Sequence, residues 1–543
     1  MLWAKNLLFG GVVLGGVIGL GANLLPPPPP KGAALHDAGL YRDANFRKTV
    51  DGVDAAFQSQ WDEGGAKVAE PASDLQIARR LSLGLMGTVP SLEEIRQFES
   101  LPADERLPWW IEHILHDART SDYFAERLAR SYVGTEDGPF LLYRRRRFTT
   151  WLADEIRHNR PYDGTVRELI AGRGLWTDNP ATNFVSVTSR PEMGNQPDAV
   201  RLAGRVTRAF LGLRIDCAQC HNHPFAAWKQ DDFESLSAFF GQTHVGFAGI
   251  QDGPGEYQVD DKKREVMRTV QPKFPFSPEL LPTDGTRRQQ LAAWVTHPKN
   301  PYFARATVNR IWAFLCGQPL QSPVDNLEPE GATGTGGSAL HPAIAILADD
   351  FVANGYDLHR LIRIIASTKV YRHDSASEHE VTEAEEKAWA IFPLTRLRPE
   401  QVAGGLLQAS SIRTIDADTH IAWRLLRATQ QNDFVKRYGD SGEDEFDGRG
   451  GTIPQRLLLM NGELIREKIK DSPFNASTRL RIQAPTEHAS VEAAYLGVLT
   501  RRPTPAERAH FERFLADPAL PKSQRFEDLF WTLLNSTEFS WNH

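Results

Sequence analysis

Cysteine is used only three times in 543 residues, and two of the three, Cys217 and Cys220, stand three apart with His221 directly after the second. So few thiols exclude a disulfide framework, which leaves the fold to packed apolar cores. The Cys-x-x-Cys-His spacing is that of c-type haem attachment: each thiol bonds one vinyl group of the porphyrin, and the next residue offers an imidazole to the iron. Cofactor-binding residues are therefore expected at Cys217, Cys220 and His221, with covalent haem c as the cofactor and His221 as the metal ligand. Zinc or another metal on Cys217, Cys220, His221 and His223 is the alternative, and a redox or structural disulfide between the two cysteines is a third reading.

Leu202, Val206, Phe210 and Leu213 recur at helical steps that continue onto Cys217, Cys220 and His221, which predicts one helix face running from apolar packing into the site. Pro224 stops that helix. Phe225, Trp228, Phe233, Phe239 and Phe240 follow and are expected to supply apolar walls for a porphyrin. The polar stretch 179–195 reads as a loop over the site, and Met193, His223 and His244 are the nearest candidates for a second axial ligand. The sequence contains no G-x-S-x-G elbow, no H-E-x-x-H helix and no P-loop, so no catalytic residue is assigned.

With 41% hydrophobic and 24% charged residues, the composition is that of a globular protein of two or three domains. A net charge of -7 gives no overall attraction to nucleic acid. The basic run at 144–147 reads as a solvated or ion-paired helix face. Residues 1–5 are positive and 7–25 are apolar apart from Asn23 and many glycines, which predicts an uncleaved membrane anchor followed by a proline spacer at 26–30. That would place the protein at the cell membrane with its soluble body on the periplasmic or outer side, where c-type haem is attached.

The fold class expected is mainly α: two helical domains behind the N-terminal membrane segment, joined by a short extended or hairpin linker. Residues 1–30 are the signal anchor and spacer, 31–70 a linker region, 71–243 the helical domain with the cysteine motif, 244–287 a linker and 288–543 a helical C-terminal domain. Helices are predicted at 91–99, opened by a Ser91/Glu94 capping box, and at 106–117, 121–133, 146–158 and 163–170. In the second domain they are predicted at 285–296, 301–316, 341–354 and 357–368. Alternation at 257–259 and 266–270 marks the linker hairpin. An echo joins the two ends of the body: Leu83-Gly84-Leu85, Pro90-Ser91 and Phe98 are mirrored by Leu496-Gly497-Val498, Pro503-Thr504 and Phe511, the second set with its own Thr504/Glu507 capping box.

Arg79-Arg80-Leu81-Ser82-Leu83, Gly87-Thr88-Val89-Pro90, Arg160-Pro161-Tyr162-Asp163 and the run from Cys217 to Phe225 resemble the planctomycete cytochrome-like domain of unknown function, over about residues 70–243. Arg305-Ala306-Thr307-Val308-Asn309-Arg310-Ile311-Trp312, Pro323-Val324-Asp325, Thr452-Ile453-Pro454-Gln455 and Leu533-Leu534-Asn535-Ser536 resemble its companion planctomycete C-terminal domain, over about 288–540. The resemblance implies an exported, mostly helical protein, commonly encoded beside secreted sulfatase-like proteins, which makes such a protein a candidate partner. It implies no reaction. Asn222 and Pro224 stand where the family often has Asp and Lys. The function expected is electron transfer or redox sensing by an exported, membrane-anchored haem protein with an unidentified redox partner. A metal-dependent enzyme using the Cys/Cys/His/His cluster and a noncatalytic surface or assembly protein are the alternatives.

Overall fold

The computed structural model describes residues 39–543 except 136–142, 191, 193, 224–227, 262–265, 328–339, 412, 417, 418, 420, 440–445 and 447–451. Its first helices in chain order are α1 (Ala44–Gly64), α2 (Asp74–Met86), α3 (Leu92–Glu99), α4 (Ala103–Leu115), α5 (Ala118–Val133), α6 (Arg145–Arg157), α7 (Tyr162–Ala171) and α8 (Ala199–Val206). Two antiparallel hairpins follow, β1 (Thr243–Gly246) with β2 (Gly249–Asp252) and β3 (Tyr257–Asp261) with β4 (Val266–Val270). The chain then forms α9 (Arg287–Val295), α10 (Phe303–Cys316), α11 (Pro342–Ala353), α12 (Leu358–Ser367), the short strand β5 (Thr395–Arg396) and α13 (Pro399–Ala409). Further helices lie between 421 and 483, before α14 (Glu487–Leu499), α15 (Pro505–Ala516), α16 (Lys522–Leu534) and β6 (Trp541–Asn542), which pairs with β5. The mainly helical expectation holds.

Helix α2 is the hub. Ser73 caps it by accepting from the Gln76 amide at 3.3 Å while the Ser73 amide donates to Gln76 Oε1 at 3.0 Å. Residues 77–86 are all buried, so the helix is enclosed on every side. Leu81 and Leu85 enter a larger core, and Leu83 enters a smaller one. The larger core mixes both sides of the hairpin region: Phe124 meets Phe314 edge-on at 5.3 Å, and Tyr162 stacks on Phe303 at 5.7 Å. The smaller core joins Val89 and Ile95 to Leu406, Val491 and Leu529. Each such side chain contributes roughly 1.5–3 kcal/mol on burial. Residues His36–His543 form one compact unit.

Two arginines on α2 are wholly buried and bind backbone carbonyls far along the chain. Arg79 donates to Val498 O at 3.1 Å and Phe539 O at 3.4 Å. Arg80 donates to Tyr371 O at 3.1 Å, His373 O at 2.6 Å and His543 O at 2.7 Å. Each satisfies carbonyls that the C-terminal segments would otherwise bury without a donor.

The expected N-terminal membrane segment and cell-membrane location are corrected: no helix among the described residues is long and apolar enough to cross a membrane. The longest, α1, has 21 residues but buries only Phe46, Val53, Phe57 and Trp61. That is a one-sided stripe, whereas a membrane span needs about 20 consecutive apolar residues. The apolar run at 7–25 and the prolines at 26–30 lie outside the described residues. The stretch 179–195 also departs from expectation. Asn179 caps a short 3-10 turn, Pro180–Thr182, which continues into Asn183–Ser186, and Phe184, Val185 and Val187 are packed in the larger core.

Candidate functional site

Asp198 opens α8 by accepting from the amides of Val200 at 3.0 Å and Arg201 at 3.1 Å. The helix widens into a π turn at Thr207–Leu211 and stops at Gly212, whose φ is +61°. A Cβ there would press on Ala306 Cβ at 3.1 Å and Leu327 Cγ at 3.2 Å, and the Leu327 amide donates to Gly212 O at 2.6 Å. Leu202, Val206, Phe210 and Leu213 are buried as the periodicity predicts. The expected unbroken helix face from them to His221 is not formed, because the chain leaves the helix in a left-handed turn at Gly212.

The cysteines sit instead on a separate 3-10 turn, Asp216–Gln219, with Cys220 as its C-cap. Side chains three apart eclipse in 3-10 geometry, so positions 217 and 220 share one side of the turn. Ala218 between them is fully buried, and its amide donates to Ile215 O at 2.9 Å. Asp216 accepts from Arg208 Nε at 2.6 Å. Helix α8 passes so close beneath that a Cβ on Gly204 would collide with Asp216 Oδ1. At the far end the Gln230 amide donates to Asn222 Oδ1 at 3.1 Å, and the His223 amide to Trp228 O at 2.8 Å.

Cys217 and Cys220 are free, exposed thiols, and His221 is exposed beside them. His221 Nδ1 lies 2.7 Å from Asn222 O. A carbonyl only accepts, so in the neutral ring Nδ1 carries the hydrogen and Nε2 has the lone pair that a metal requires. The thiols and imidazole thus fit the donor set of a covalent haem. Among the described residues, Phe233, Phe239 and Phe240 do not form the expected aromatic wall. Phe233, Phe239 and Phe240 are buried in the core, where Phe239 stacks on Phe274 at 4.5 Å and Phe274 on Trp294 at 4.2 Å. Trp228 tilts against Phe276, and Phe225 lies outside the described residues. Of the second-ligand candidates, His244 Nε2 is 3.0 Å from Pro254 O, His223 is half-buried, and Met193 lies outside the described residues.

Among the described residues, Glu94, His113 and Asp117 form the one group of three metal-ligating side chains with atoms within 4.8 Å of one another; Cys217, Cys220, His221 and His223 do not gather in this way. Arg119 already supplies the cation in that trio, pairing with Glu94 and, at 2.7 Å, with Asp117. Burial opposes the charge on Glu94, but the Arg119 guanidinium, with help from His113 and the Ser91 amide, outweighs it and holds the carboxyl at about 2. Cys316 ends α10 fully buried, and burial pushes its thiol far above the ordinary range. In the basic run, Arg145 pairs with Glu126 at 2.7 Å and donates to Gly134 O, which makes this end of α6 ion-paired.

The cysteine turn adjoins a cavity that no motif marks, for Asp216 belongs to its wall together with several arginines. The signal was present as Arg201, Arg205 and Arg208 at helical spacing. Residues 52–245 match the family model described as PSCyt2: Protein of unknown function (DUF1549), and residues 287–515 match that described as PSD1: Protein of unknown function (DUF1553). No curated protein and no solved structure matches the chain. The chain therefore carries a PSCyt2 domain followed by a PSD1 domain, both defined as families of unknown function.

Proposed function

We propose that Cys217 and Cys220 attach a c-type haem with His221 as axial ligand, and that the protein serves electron transfer or redox sensing. The observation that carries this reading is the turn Asp216–Gln219: two exposed thiols three residues apart, followed by an imidazole whose Nδ1 is occupied by a backbone carbonyl. When bound, the haem supplies a one-electron couple and needs no side chain as acid or base. The protein's share is to hold the turn still. Buried Ala218 anchors its centre, and the Arg208–Asp216 pair anchors its start.

The test is expression in a host competent in cytochrome c maturation, followed by a pyridine haemochrome spectrum and a haem stain on a denaturing gel. Wild type is expected to show covalent haem and no thiol reactive in the folded state, since Cys316 is buried. Cys217→Ala/Cys220→Ala is expected to lose the haem band. Colourless, iron-free wild type with two reactive thiols would overturn the reading. Stoichiometric zinc without a Soret band would favour a metal-dependent enzyme, and neither haem nor metal a noncatalytic role.

A further inference from the structure

From the loop between the short helices Lys369–Arg372 and Glu383–Lys387 into the second of them, a serine, a histidine and a glutamate are joined by hydrogen bonds. Ser377 Oγ lies 2.7 Å from His379 Nδ1, and His379 Nε2 lies 3.1 Å from Glu385 Oε1. We propose that Ser377 is an activated nucleophile with His379 as its general base, and that this loop hydrolyses small activated carboxylic esters. The proposal does not depend on haem, because it uses other residues and another readout.

The proton positions follow from the partners. Glu385 accepts from the amide and the hydroxyl of Thr382, both at 2.9 Å, and these bonds hold its carboxyl at about 2 against the opposing effect of desolvation. An ionised carboxylate only accepts, so His379 Nε2 carries the hydrogen and, in the neutral ring, Nδ1 has the lone pair. The Ser377 hydroxyl therefore donates to Nδ1, which is the direction in which a base takes the proton of a nucleophile. The His379 amide also donates to Ser377 Oγ at 3.3 Å, a bond that strengthens as negative charge develops on that oxygen. The ring is turned end for end relative to the Ser-His-Asp arrangement, in which Nε2 faces the hydroxyl. The roles are the same, with hydroxyl, imidazole and carboxylate in one line of hydrogen bonds.

The loop is anchored on both sides, which keeps the three groups in register. Upstream, buried Arg80 donates to His373 O at 2.6 Å and to Ser375 Oγ at 3.2 Å, and the Asp374 amide donates to Glu70 O at 2.7 Å. Downstream, Thr382 and Glu385 close a capping box, and the Lys67 amide donates to Glu385 Oε1 at 3.2 Å. Glu385 is buried, whereas Ser377 and His379 are half-buried and interleaved with exposed Ala376, Glu378 and Glu380. The carboxylate is thus held inside while the hydroxyl is open to an ester from solvent. In the first step Ser377 Oγ bonds to the acyl carbon and its proton passes to His379 Nδ1. The bond from the acyl carbon to the leaving oxygen then breaks, and that proton departs with the alcohol. Water attacks the acyl-serine by the same route, which releases the carboxylic acid and restores the hydroxyl. An open loop encloses little of a substrate, so it suits a small ester with a good leaving group.

The test uses the full chain with two probes, diisopropyl fluorophosphate and 4-nitrophenyl acetate. The fluorophosphate is expected to label the peptide containing Ser377, located by mass spectrometry, and the acetate to be hydrolysed faster than by the urea-unfolded chain. Ser377→Ala is expected to abolish the label, and His379→Gln to slow both reactions about 100-fold or more, each variant checked for folding by circular dichroism. Glu385→Gln, at the positioning residue, is expected to lower kcat for the acetate with KM unchanged. Ser59→Ala, at an exposed serine on α1, is expected to change nothing. The proposal is overturned by an unlabelled wild type, by label on another residue, or by hydrolysis no faster than that of the unfolded chain. It is equally overturned by wild-type rates in folded Ser377→Ala or His379→Gln, in which case the three groups serve only to fasten the loop.

Discussion

Arg119 shows how a single residue can decide the meaning of its neighbours. Glu94, His113 and Asp117 form a trio that would suit a metal, yet the guanidinium among them makes it an ion-pair network at the junction of α3, α4 and α5. Both Arg119 and Glu94 are buried, so removing one partner leaves an uncompensated charge out of water. Arg119→Met is expected to cost about 3–5 kcal/mol in urea denaturation, whereas Glu94→Leu/Arg119→Met costs less than the single change. A single variant as stable as wild type would show that the pair is solvated. Local sequence revealed half of Glu94's role: the capping box with Ser91 is formed, its amide bonds at 2.8 and 3.1 Å. The other half depends on a residue 25 positions away, brought close only by helix packing.

At the scale of elements, apolar periodicity located most helices to within a few residues, for example 146–158 against Arg145–Arg157 and 301–316 against Phe303–Cys316. It failed at Gly212, where the apolar spacing continues but the helix does not. The chain leaves the helix through a left-handed Gly212, where Ala306 and Leu327, over 90 residues downstream, leave no room for a side chain, and no local pattern records those two neighbours. Gly212→Ala combines a left-handed φ with those contacts and is expected to destabilise the protein by about 1–3 kcal/mol, measured by chemical denaturation. A neutral effect would mean that the segment between α8 and the cysteine turn readily shifts. The echo between the two ends has a structural counterpart. α2, an intervening turn, capping-box helix α3 and helix α4 recur as α14, an intervening turn, capping-box helix α15 and helix α16, and the first helix of each set ends at a residue with positive φ, Gly87 or Thr500.

Across the whole molecule, three histidines link stability to pH. Burial pushes the imidazoles of His341, His359 and His373 down to about 4, the last two with help from nearby arginines. Their folded values lie below the unfolded value of about 6.5, so the unfolded chain takes up protons first as pH falls. Their contribution is complete above about pH 6.5 and is lost toward pH 4, by about 2 kcal/mol for each imidazole at pH 5. Glu94, held at about 2, is lost only below the unfolded carboxyl range. A urea midpoint that stays constant between pH 7.5 and 5 would contradict this assignment. The sequence by itself determined the helical class, the order of the two families and the cysteine run, because helix periodicity, caps and a five-residue motif are local properties of the chain. Only the tertiary structure decided that one core spans both sides of the hairpins, that Phe233, Phe239 and Phe240 pack inward, and that six arginines converge beside the cysteine turn. Burial and charge proximity depend on which distant segments meet, and side-chain spacing along the chain carries no record of that meeting.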